Sequence, residues 1–506
     1  MRATFLLGQA NPWVVLAVLS LVVLPIGIDL TVLNVALPRL TAELGASNAD
    51  KLWMINAYSL VMAGLLPGFG TLSDKVGHRN MLLSGLGLFA MVSLALAFAP
   101  SSGIFIALRG ALAVGAAMIL PASISIVRLV FEEERQRATA IGIWGGVWSG
   151  SAMLGPIMGG LLLSRFWWGA VFLINVPIVV FAILLTWSKI PDLPANKHKS
   201  WDLLASLYLS ACLVGLLYAL KGMFREDLPV SHVAAALIAG LVFCRLFLRR
   251  QALLPAPLLD FSLFWNIRFS AGVSIAVFSS FALVGLQYSV SQELQLVRGL
   301  SPLSAGFYLL PIALASVFSG LGAGRIMIGV GMERMMVITC AFGALGTSLF
   351  RFGGHLSGSG MELAVLALIG LSAGGAMAVA STAIMISAPN DKAGMAGAIE
   401  AIAYELGGTL GVAVMGSVMG HVYRSDLAVA PSSSLFQSAI SSMEGAIQAA
   451  GRLSPEAGRD LLAVAKAAYL GGVDASLTLA AGIMTLLFVT MIVMVYCVSR
   501  LPSAHR

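Results

Sequence analysis

The sequence predicts an all-α integral membrane protein with fourteen transmembrane helices, arranged as two six-helix bundles with two further helices inserted between them. Of its 506 residues, 59% are hydrophobic and only 10% are charged, whereas about a quarter of an ordinary soluble domain is charged. Apolar stretches of roughly 20 residues, the length that a spanning helix needs, recur along the whole chain. A glycine-containing segment that follows the second stretch also reappears in the second half of the sequence.

Windows of this length predict fourteen spans. They cover residues 13–37, 52–72, 81–99, 104–127, 138–163, 168–187, 203–221, 232–248, 267–293, 303–325, 334–352, 362–387, 395–421 and 474–499. The first stretch is longer than the apolar core of a signal peptide, which has about 7 to 15 residues, and no clear cleavage site follows it. We therefore interpret it as the first helix. An even number of spans places both termini on the same side of the membrane.

The basic residues predict which side that is. Eighteen Lys and Arg residues fall in the tails and loops on the side of the termini, against seven in the short loops of the opposite side. Because cytoplasmic loops are enriched in Lys and Arg, we expect both termini in the cytoplasm. This asymmetry also accounts for the net charge of +7, so that nucleic acid is not needed as a partner.

Two similar segments indicate an internal duplication. GTLSDKVGHRN runs from Gly70 to Asn80 and GRIMIGVGMER from Gly324 to Arg334, each at the end of a predicted helix. Such repeats are typical of transporters. They predict an N-terminal bundle at 1–200, two inserted helices with their linker at 201–260, and a C-terminal bundle at 261–506.

One long segment, about 422–473, interrupts the pattern of short outer loops. Apolar residues recur at helical spacing in two parts of it, which predicts a helical hairpin on the periplasmic side. The alternative is a disordered linker. The residues of the two apolar faces are Leu435, Ala439, Met443 and Ile447, followed by Ala457, Leu461, Val464 and Ala468.

The sequence gives no sign of an enzyme. No Ser/His/Asp set, phosphate-binding loop or metal cluster is visible, and we expect no cofactor. The four cysteines lack a metal-binding or disulfide spacing, and we interpret them as residues that fill the core. They are Cys212, Cys244, Cys340 and Cys497.

A few ionisable residues lie inside the predicted spans, where a charge costs from about 3 kcal/mol upward. They are Asp29, Arg109, Glu293, Glu400 and Glu405. A low-dielectric surrounding favours a protonated carboxyl and a nearby cation favours an ionised one, so such an acid can hold either a proton or a cationic ligand. Glu400 and Glu405 are about 140° apart on a helix, and we expect only one of them to face a cavity. Glu293, near a helix end, is expected to be solvated.

Several motifs resemble those of the major facilitator superfamily, and within it the fourteen-helix drug:proton antiporters. GTLSDKVGHRN is similar to the loop motif after the second helix of this family. GIWGGVWSGSAMLGPIMGG is similar to its antiporter motif, with Ser151 where glycine is usual. DLTVLNVALP and WWGAVFLINVP resemble two further segments of the fourteen-helix branch, including its methyl viologen and quaternary ammonium exporters. The antiporter motif is matched by Gly142, Gly155, Pro156, Gly159 and Gly160.

The resemblance implies a monomeric exporter of lipophilic mono- and dicationic drugs that is driven by protons across a bacterial inner membrane. It implies proton or cation coupling at Asp29, Arg109, Glu400 and Glu405, with Asp29 facing a water-accessible cavity. A conformational latch is implied at Gly70, Asp74, Gly77 and Arg79. The candidates that line the cavity are Asn34, Trp53, Asn56, Tyr58, Trp148, Tyr288 and Tyr404.

Alternative interpretations remain open at this stage. The chain could export an endogenous metabolite or siderophore, with drug export as an incidental activity. Asp29 could also serve only as a hydrogen-bonding group for neighbours such as Thr31 and Asn34.

Overall fold

A computed structural model describes residues 11–46, 48–192, 202–223, 229–254, 259–352, 360–389, 392–427 and 442–500. The regular secondary structure within these ranges is helical, and they contain no strand. Within the helices, the side chains of Asn34, Asn56 and Pro156 lie outside the described part of the structure.

Six helical segments form the first part of the chain. They are α1 (Pro12–Glu43), α2 (Asn48–Val76), α3 (His78–Ala97), α4 (Ser102–Val130), α5 (Glu134–Leu163) and α6 (Ala170–Lys189), which is interrupted at Ile174. Two helices follow, α7 (Leu203–Gly222) and α8 (Val230–Leu253).

The second part of the chain has a similar series of helices. They are α9 (Ile267–Gln292), α10 (Pro302–Val330), α11 (Met332–Phe352), α12 (Gly360–Ser387), α13 (Ala393–Leu427) and α14 (Pro455–Arg500). A 3₁₀ turn at Phe261–Trp265 precedes α9, a π-helical turn at Glu293–Val297 follows it, and a short helix, Met443–Ala450, precedes α14.

Twelve helices among the described residues are long and apolar enough to cross a membrane. The two long helices that are not among these twelve are α2 and α5. The protein is therefore an all-helical membrane protein with about twelve spanning helices.

Local sequence determines where several helices begin. Asn11 precedes α1, and its side-chain oxygen accepts a hydrogen bond from the backbone N–H of Trp13 at 3.0 Å. Ser301 precedes α10 and accepts one in the same way from Ser304 at 3.2 Å. A side chain that satisfies an otherwise unpaired N–H of the first turn stabilises a helix start by about 1 kcal/mol.

The helix contacts have the same pattern in the two parts of the chain. In the first part, α1 packs on α5, and α4 packs on both α2 and α3; in the second part, α9 packs on α13, and α10 and α11 pack on α12. The two parts meet where α5 lies against α10 and where α2 lies against α13. The pair α7 and α8 pack on each other, and α7 also contacts α2 and α13.

The turns at the two ends of the predicted duplication have the same backbone conformation. Gly77 follows α2 with φ 99° and ψ 132°, and Gly331 follows α10 with φ 90° and ψ 151°. Positive φ at this angle is open to glycine and strained for other residues. The shared backbone conformation explains why both copies of the segment have glycine at this point.

The predicted hairpin has a different form from the one expected. Helix α13 extends to Leu427, and α14 runs without a break from Pro455, so the second arm is the beginning of the last helix. The short helix Met443–Ala450 packs on this arm and on the end of α13 through a shared apolar cluster that includes Tyr423, Met443 and Leu461. Leu435 and Ala439 lie outside the described residues.

Candidate functional site

An ion pair joins the two ionisable residues of the first helical group. The guanidinium Nη1 of Arg109 on α4 lies 2.5 Å from Oδ2 of Asp29 on α1. The exposed fractions of these side chains are 2% and 0%. A buried pair of this kind is held by its mutual attraction, because either charge alone would be unfavourable in the core.

Backbone and aromatic groups complete the surroundings of Arg109. Its Nε donates a hydrogen bond to the backbone carbonyl of Met54 at 3.3 Å, and its guanidinium carbon lies 4.6 Å from the centre of the Tyr58 ring. Among the described residues, neither Oδ1 of Asp29 nor the Tyr58 hydroxyl has a hydrogen-bond partner. The site therefore retains two unsatisfied polar atoms beside a closed ion pair.

The expectation that Asp29 faces a water-accessible cavity is wrong for this conformation. Asp29 is fully buried and its carboxylate points to Arg109. The sequence identified both residues, but their separation of 80 positions gave no indication that packing of α1 on α4 would direct them to each other.

A separate cavity lies between the two helical groups, with about 400 Å³ of space between atoms, a figure that includes its opening to solvent. It brings together residues of α4, α5, α12 and α13. Two carboxyl groups and three aromatic side chains are among them. The lining consists of Leu120, Ile124, Trp144, Trp148, Met377, Gly397, Glu400, Ala401, Tyr404 and Glu405.

Both glutamates of α13 line this cavity. The expectation that only one of them would do so is wrong, because the cavity extends around enough of α13 to include both positions. Glu400 is buried, and Ser381 of α12 is near it, but neither Oε atom makes a hydrogen bond of good geometry within the described structure. Glu405 is half-buried and receives a hydrogen bond from Ser59 of α2.

Two parallel indole rings form part of the same wall. The ring centres of Trp144 and Trp148, one helical turn apart on α5, are separated by 6.4 Å with an interplanar angle of 4°. Tyr404 lines the cavity from α13, and its hydroxyl donates a long hydrogen bond of 3.5 Å to the carbonyl of Met377. Aromatic faces attract cations, so these rings complement the two carboxyl groups.

Three of the predicted lining residues do not line this cavity. Trp53 stacks on Tyr218 of α7 with ring centres 5.9 Å apart, and Tyr58 is buried beneath Arg109. Tyr288 packs against α13 beside Gly416. These three side chains take part in helix packing, a role that the sequence does not distinguish from cavity lining.

Glu293 is also placed differently from the expectation. It is 2% exposed rather than solvated, and it accepts hydrogen bonds from Arg298 at 2.9 and 3.1 Å. The π-helical turn at Glu293–Val297 brings these two residues together.

Tyr58 is within electrostatic range of both acidic regions, that is, of Asp29 and Arg109 and also of Glu405. Ser59, the next residue of α2, contacts Glu405. The polar residues of α2 therefore connect the two acidic regions, a role that the sequence did not indicate for Ser59.

The loop motif after α2 is held by contacts within the first helical group. Arg79 donates a hydrogen bond to the carbonyl of Trp187 at 2.6 Å, near the end of α6. His78 lies 2.7 Å from Ser73 through Nδ1 and 3.7 Å from Asp74 through Nε2. Gly70 and Gly77 are buried at the same end of α2.

The glycines of α5 face two different neighbours. A Cβ added at Gly142 would lie 2.6 Å from the carbonyl oxygen of Gly320 on α10, whereas one added at Gly155 would lie 2.8 Å from that of Ile28 on α1. At Gly159 it would lie 3.0 Å from Val32 of α1. Among the described glycines of the motif, Gly142 therefore contacts the second helical group, whereas Gly155 and Gly159 belong to the contact between α5 and α1.

One end of the molecule is closed by contacts between the two groups. Trp13 and Phe131 are in edge-to-face contact at 5.2 Å, so the start of α1 and the end of α4 lie together; we call this the terminal end. Here Arg128 of α4 donates a hydrogen bond to the carbonyl of Ala388 after α12 at 3.2 Å.

A second contact at the terminal end involves the segment that leads into α9. Asp260 accepts a hydrogen bond from Lys392 at 2.5 Å. The side-chain hydrogen bonds from Lys392 and Ser262 lower the pKa of Asp260 to about 2. The carboxylate is therefore ionised over the whole physiological range.

The chain is similar to known membrane proteins over most of its length. The family model of the Major Facilitator Superfamily matches residues 19–412. The chain belongs to the major facilitator superfamily. Its members are transporters rather than enzymes as a rule, and the family resemblance of the sequence motifs is confirmed.

Several relatives of the chain are resistance proteins. It is 37% identical to the methyl viologen resistance protein SmvA of Salmonella typhimurium over 482 residues, covering 95% of this chain and 97% of that one. It is 35% identical to the multidrug efflux pump LfrA of Mycolicibacterium smegmatis, covering 93% of each. This superfamily member is thus a multi-pass membrane transporter of the multidrug efflux and resistance type.

The fold also matches a solved structure. The human organic anion transporter MFSD10 (TETRAN) superposes with a TM-score of 0.62, covering 96% of this chain and 100% of that one, at 15% sequence identity. At this identity the match supports the fold alone.

Proposed function

We propose that this superfamily member is a proton-coupled antiporter that exports lipophilic mono- and dicationic compounds. The observation that carries the proposal is the cavity in which Glu400, Glu405, Trp144, Trp148 and Tyr404 meet. The name of SmvA, a methyl viologen resistance protein, supports the same substrate class, since methyl viologen is a flat dication.

Cation binding would rest on a carboxyl group in this cavity that has few partners within the protein. Neither oxygen of Glu400 has a good hydrogen-bond partner among the described residues, so an entering cation supplies a favourable interaction that the empty site lacks. The indole faces of Trp144 and Trp148 add a cation–π attraction of about 0.5–2 kcal/mol. A lipophilic body suits the apolar remainder of the lining.

Proton coupling would use exclusive occupancy of the carboxyl groups. A protonated glutamate has no charge with which to hold a cation, so proton entry and cation release are linked. Asp29 would contribute through its ion pair with Arg109, because protonation of Asp29 releases the guanidinium from its partner. Tyr58 lies where a change at this pair can be sensed at Glu405.

The energetics favour more than one titrating group. Moving one charge across 100 mV corresponds to about 2.3 kcal/mol. Exchange of a dication for two protons moves no net charge, so the membrane potential assists export only with three protons or more. Asp29, Glu400 and Glu405 supply three carboxyl groups.

We infer the following arrangement in the membrane. The chain crosses it fourteen times as two six-helix bundles at 1–200 and 261–506 with an inserted pair at 201–260, and the short helix Met443–Ala450 rests at the periplasmic face. Both termini lie in the cytoplasm of a bacterial inner membrane. Support comes from the distribution of Lys and Arg and from the repeated turn at Gly77 and Gly331.

The terminal end would then be the cytoplasmic gate. The contact of Arg128 with Ala388 holds it closed in this conformation. The motif that contains Gly70, Asp74, Gly77 and Arg79 would act as the latch beside it.

Purified protein in proteoliposomes tests the function. With a pH gradient and a panel of matched mono- and dications, we expect uptake of cations to be accompanied by release of protons in a fixed ratio. Cation transport that is independent of the pH gradient contradicts the coupling. Proton movement without any response to cations contradicts the substrate class.

A further inference from the structure

The inserted helices α7 and α8 have a register that two close contacts determine. A Cβ added at Gly215 would lie 2.8 Å from the Cα of Gly240, and one added at Gly222 would lie 2.6 Å from Val233. Moving seven residues forward along α7 therefore moves seven residues back along α8. The pair is antiparallel, with its closest backbone approach at the two glycines.

This register places two cysteines opposite each other. Cys212 is three residues before Gly215 and Cys244 four residues after Gly240, which is about one turn from the crossing on the same face of each helix. Cys212 is 4% exposed and Cys244 is half-buried. Both are free cysteines, and their thiols are within reach of a mutual hydrogen bond.

The chemistry of the pair favours a ligand that needs two sulfur atoms. Among the described residues no group of three or more His, Cys, Asp or Glu side chains could hold a metal ion, and a structural zinc site requires four protein ligands. A trivalent organoarsenical carries its own organic substituent and requires only two thiols. Exposed apolar side chains of α8 beside Cys244, among them Leu241, Val242 and Leu248, open the pair to a lipophilic reagent.

We propose that Cys212 and Cys244 form a dithiol site for trivalent organoarsenicals, separate from the central cavity. In the reaction with an arsine oxide, both S–H bonds break and two As–S bonds form. The two hydrogens leave with the arsenic-bound oxygen as one molecule of water, and no oxidant or reductant takes part. The adduct would bridge α7 and α8.

The site is independent of the proposed antiport. None of the residues that line the central cavity belongs to α7 or α8. Loss of cation export would therefore leave the dithiol reaction intact, and failure of the dithiol reaction would leave the antiport proposal intact.

Intact-mass measurement of the reduced, detergent-purified protein with phenylarsine oxide tests the proposal. We expect one phenylarsenic adduct per chain, which a dithiol reverses and a monothiol does not. The double variant Cys340→Ser/Cys497→Ser keeps the pair and should retain the adduct. In the Cys212→Ser and Cys244→Ser variants, a monothiol should remove any phenylarsenic group that is bound.

Other outcomes overturn the proposal. An adduct that resists a monothiol in the Cys212→Ser or Cys244→Ser variant contradicts the site. Complete absence of the adduct from the wild-type protein also contradicts it. If either variant does not fold, peptide mapping of the wild-type adduct decides: arsenic bridging the peptides of Cys212 and Cys244 supports the site, and any other location refutes it.

Discussion

The two acidic regions of the molecule contain the same functional group in opposite surroundings. Asp29 is fully buried and paired with Arg109 at 2.5 Å, whereas Glu400 is 4% exposed, lines a cavity and has no good hydrogen-bond partner among the described residues. A paired carboxylate is stabilised in the empty protein. An unpaired one gains its partner only when a cation enters, so the two regions are suited to different steps of transport.

Burial alone does not identify a ligand-binding acid in this molecule. Both carboxyl groups are removed from solvent, but Asp29 has one oxygen paired with Arg109, whereas Glu400 lines a cavity and has two unsatisfied oxygens among the described residues. The partners of a carboxyl group, rather than its depth, determine whether a cation gains by approaching it.

The largest expected effect is a loss of stability when the ion pair of Asp29 and Arg109 is broken. In Arg109→Met, Asp29 remains buried without its partner, and we expect the free energy of unfolding to fall by about 3–5 kcal/mol. Thermal unfolding in detergent measures this. Asp29→Asn/Arg109→Met should be more stable than Arg109→Met alone. As a control, Arg268→Met removes a partly exposed ion pair with Glu333 and should change stability by at most about 1 kcal/mol. Equal losses in the two single variants would contradict the distinction.

A second variant separates coupling from binding. Asp29→Asn cannot titrate, and we expect it to abolish gradient-driven export of mono- and dications alike while cations still bind in the cavity. Transport in proteoliposomes and equilibrium binding in detergent measure the two properties. Normal proton release on addition of a cation to this variant would refute the role of Asp29.

Substitutions in the cavity should weaken cation binding rather than lower stability. Glu400→Gln and Glu405→Gln each remove a charge that faces the cavity, and we expect cation affinity to fall by at least about tenfold, which corresponds to about 1.4 kcal/mol. Because Glu400 has no ionic partner, Glu400→Gln should not lower the thermal stability. Unchanged affinity for all cations in both variants would exclude the cavity as the binding site.

A smaller effect is expected from the aromatic wall. Trp148→Leu removes one indole face and should weaken binding of a cation by about 0.5–2 kcal/mol, with no effect on a neutral compound of the same shape. Trp53→Leu is the matched control, since Trp53 packs on Tyr218 outside this cavity. Fluorescence titration of both variants provides the measurement; equal losses would attribute the effect to packing.

The smallest effect concerns a paired carboxylate outside the spans. The folded-state pKa of Asp260 is about 2, below its ordinary value of 3.8, so its contribution is present above pH 4 and is lost as the pH falls toward 2. Because the pair is partly exposed, we expect about 1 kcal/mol or less. The difference in unfolding temperature between wild type and Asp260→Asn should narrow over this range. A difference that widens instead would contradict the assigned sign.

Some features of the fold and of the candidate site could be predicted from the sequence, and others could not. The repeated turn was predictable because Gly77 and Gly331 satisfy a local backbone requirement. Asp29, Arg109, Glu400 and Glu405 were predictable as exceptions within apolar stretches. The proximity of Cys212 to Cys244 was not predictable, since the helix register that brings them together depends on how α7 meets α8.

The membrane class, the positions of most helices and the glycines of the two similar turns were determined by the sequence itself, because hydropathy and turn geometry are properties of short segments. Only the tertiary structure decided that Arg109 neutralises Asp29, that both Glu400 and Glu405 reach one cavity, and that Glu293 is buried against Arg298. These pairings depend on how helices distant in the chain pack and rotate against one another, and a charge in an apolar helix is compatible with several partners until that packing is fixed.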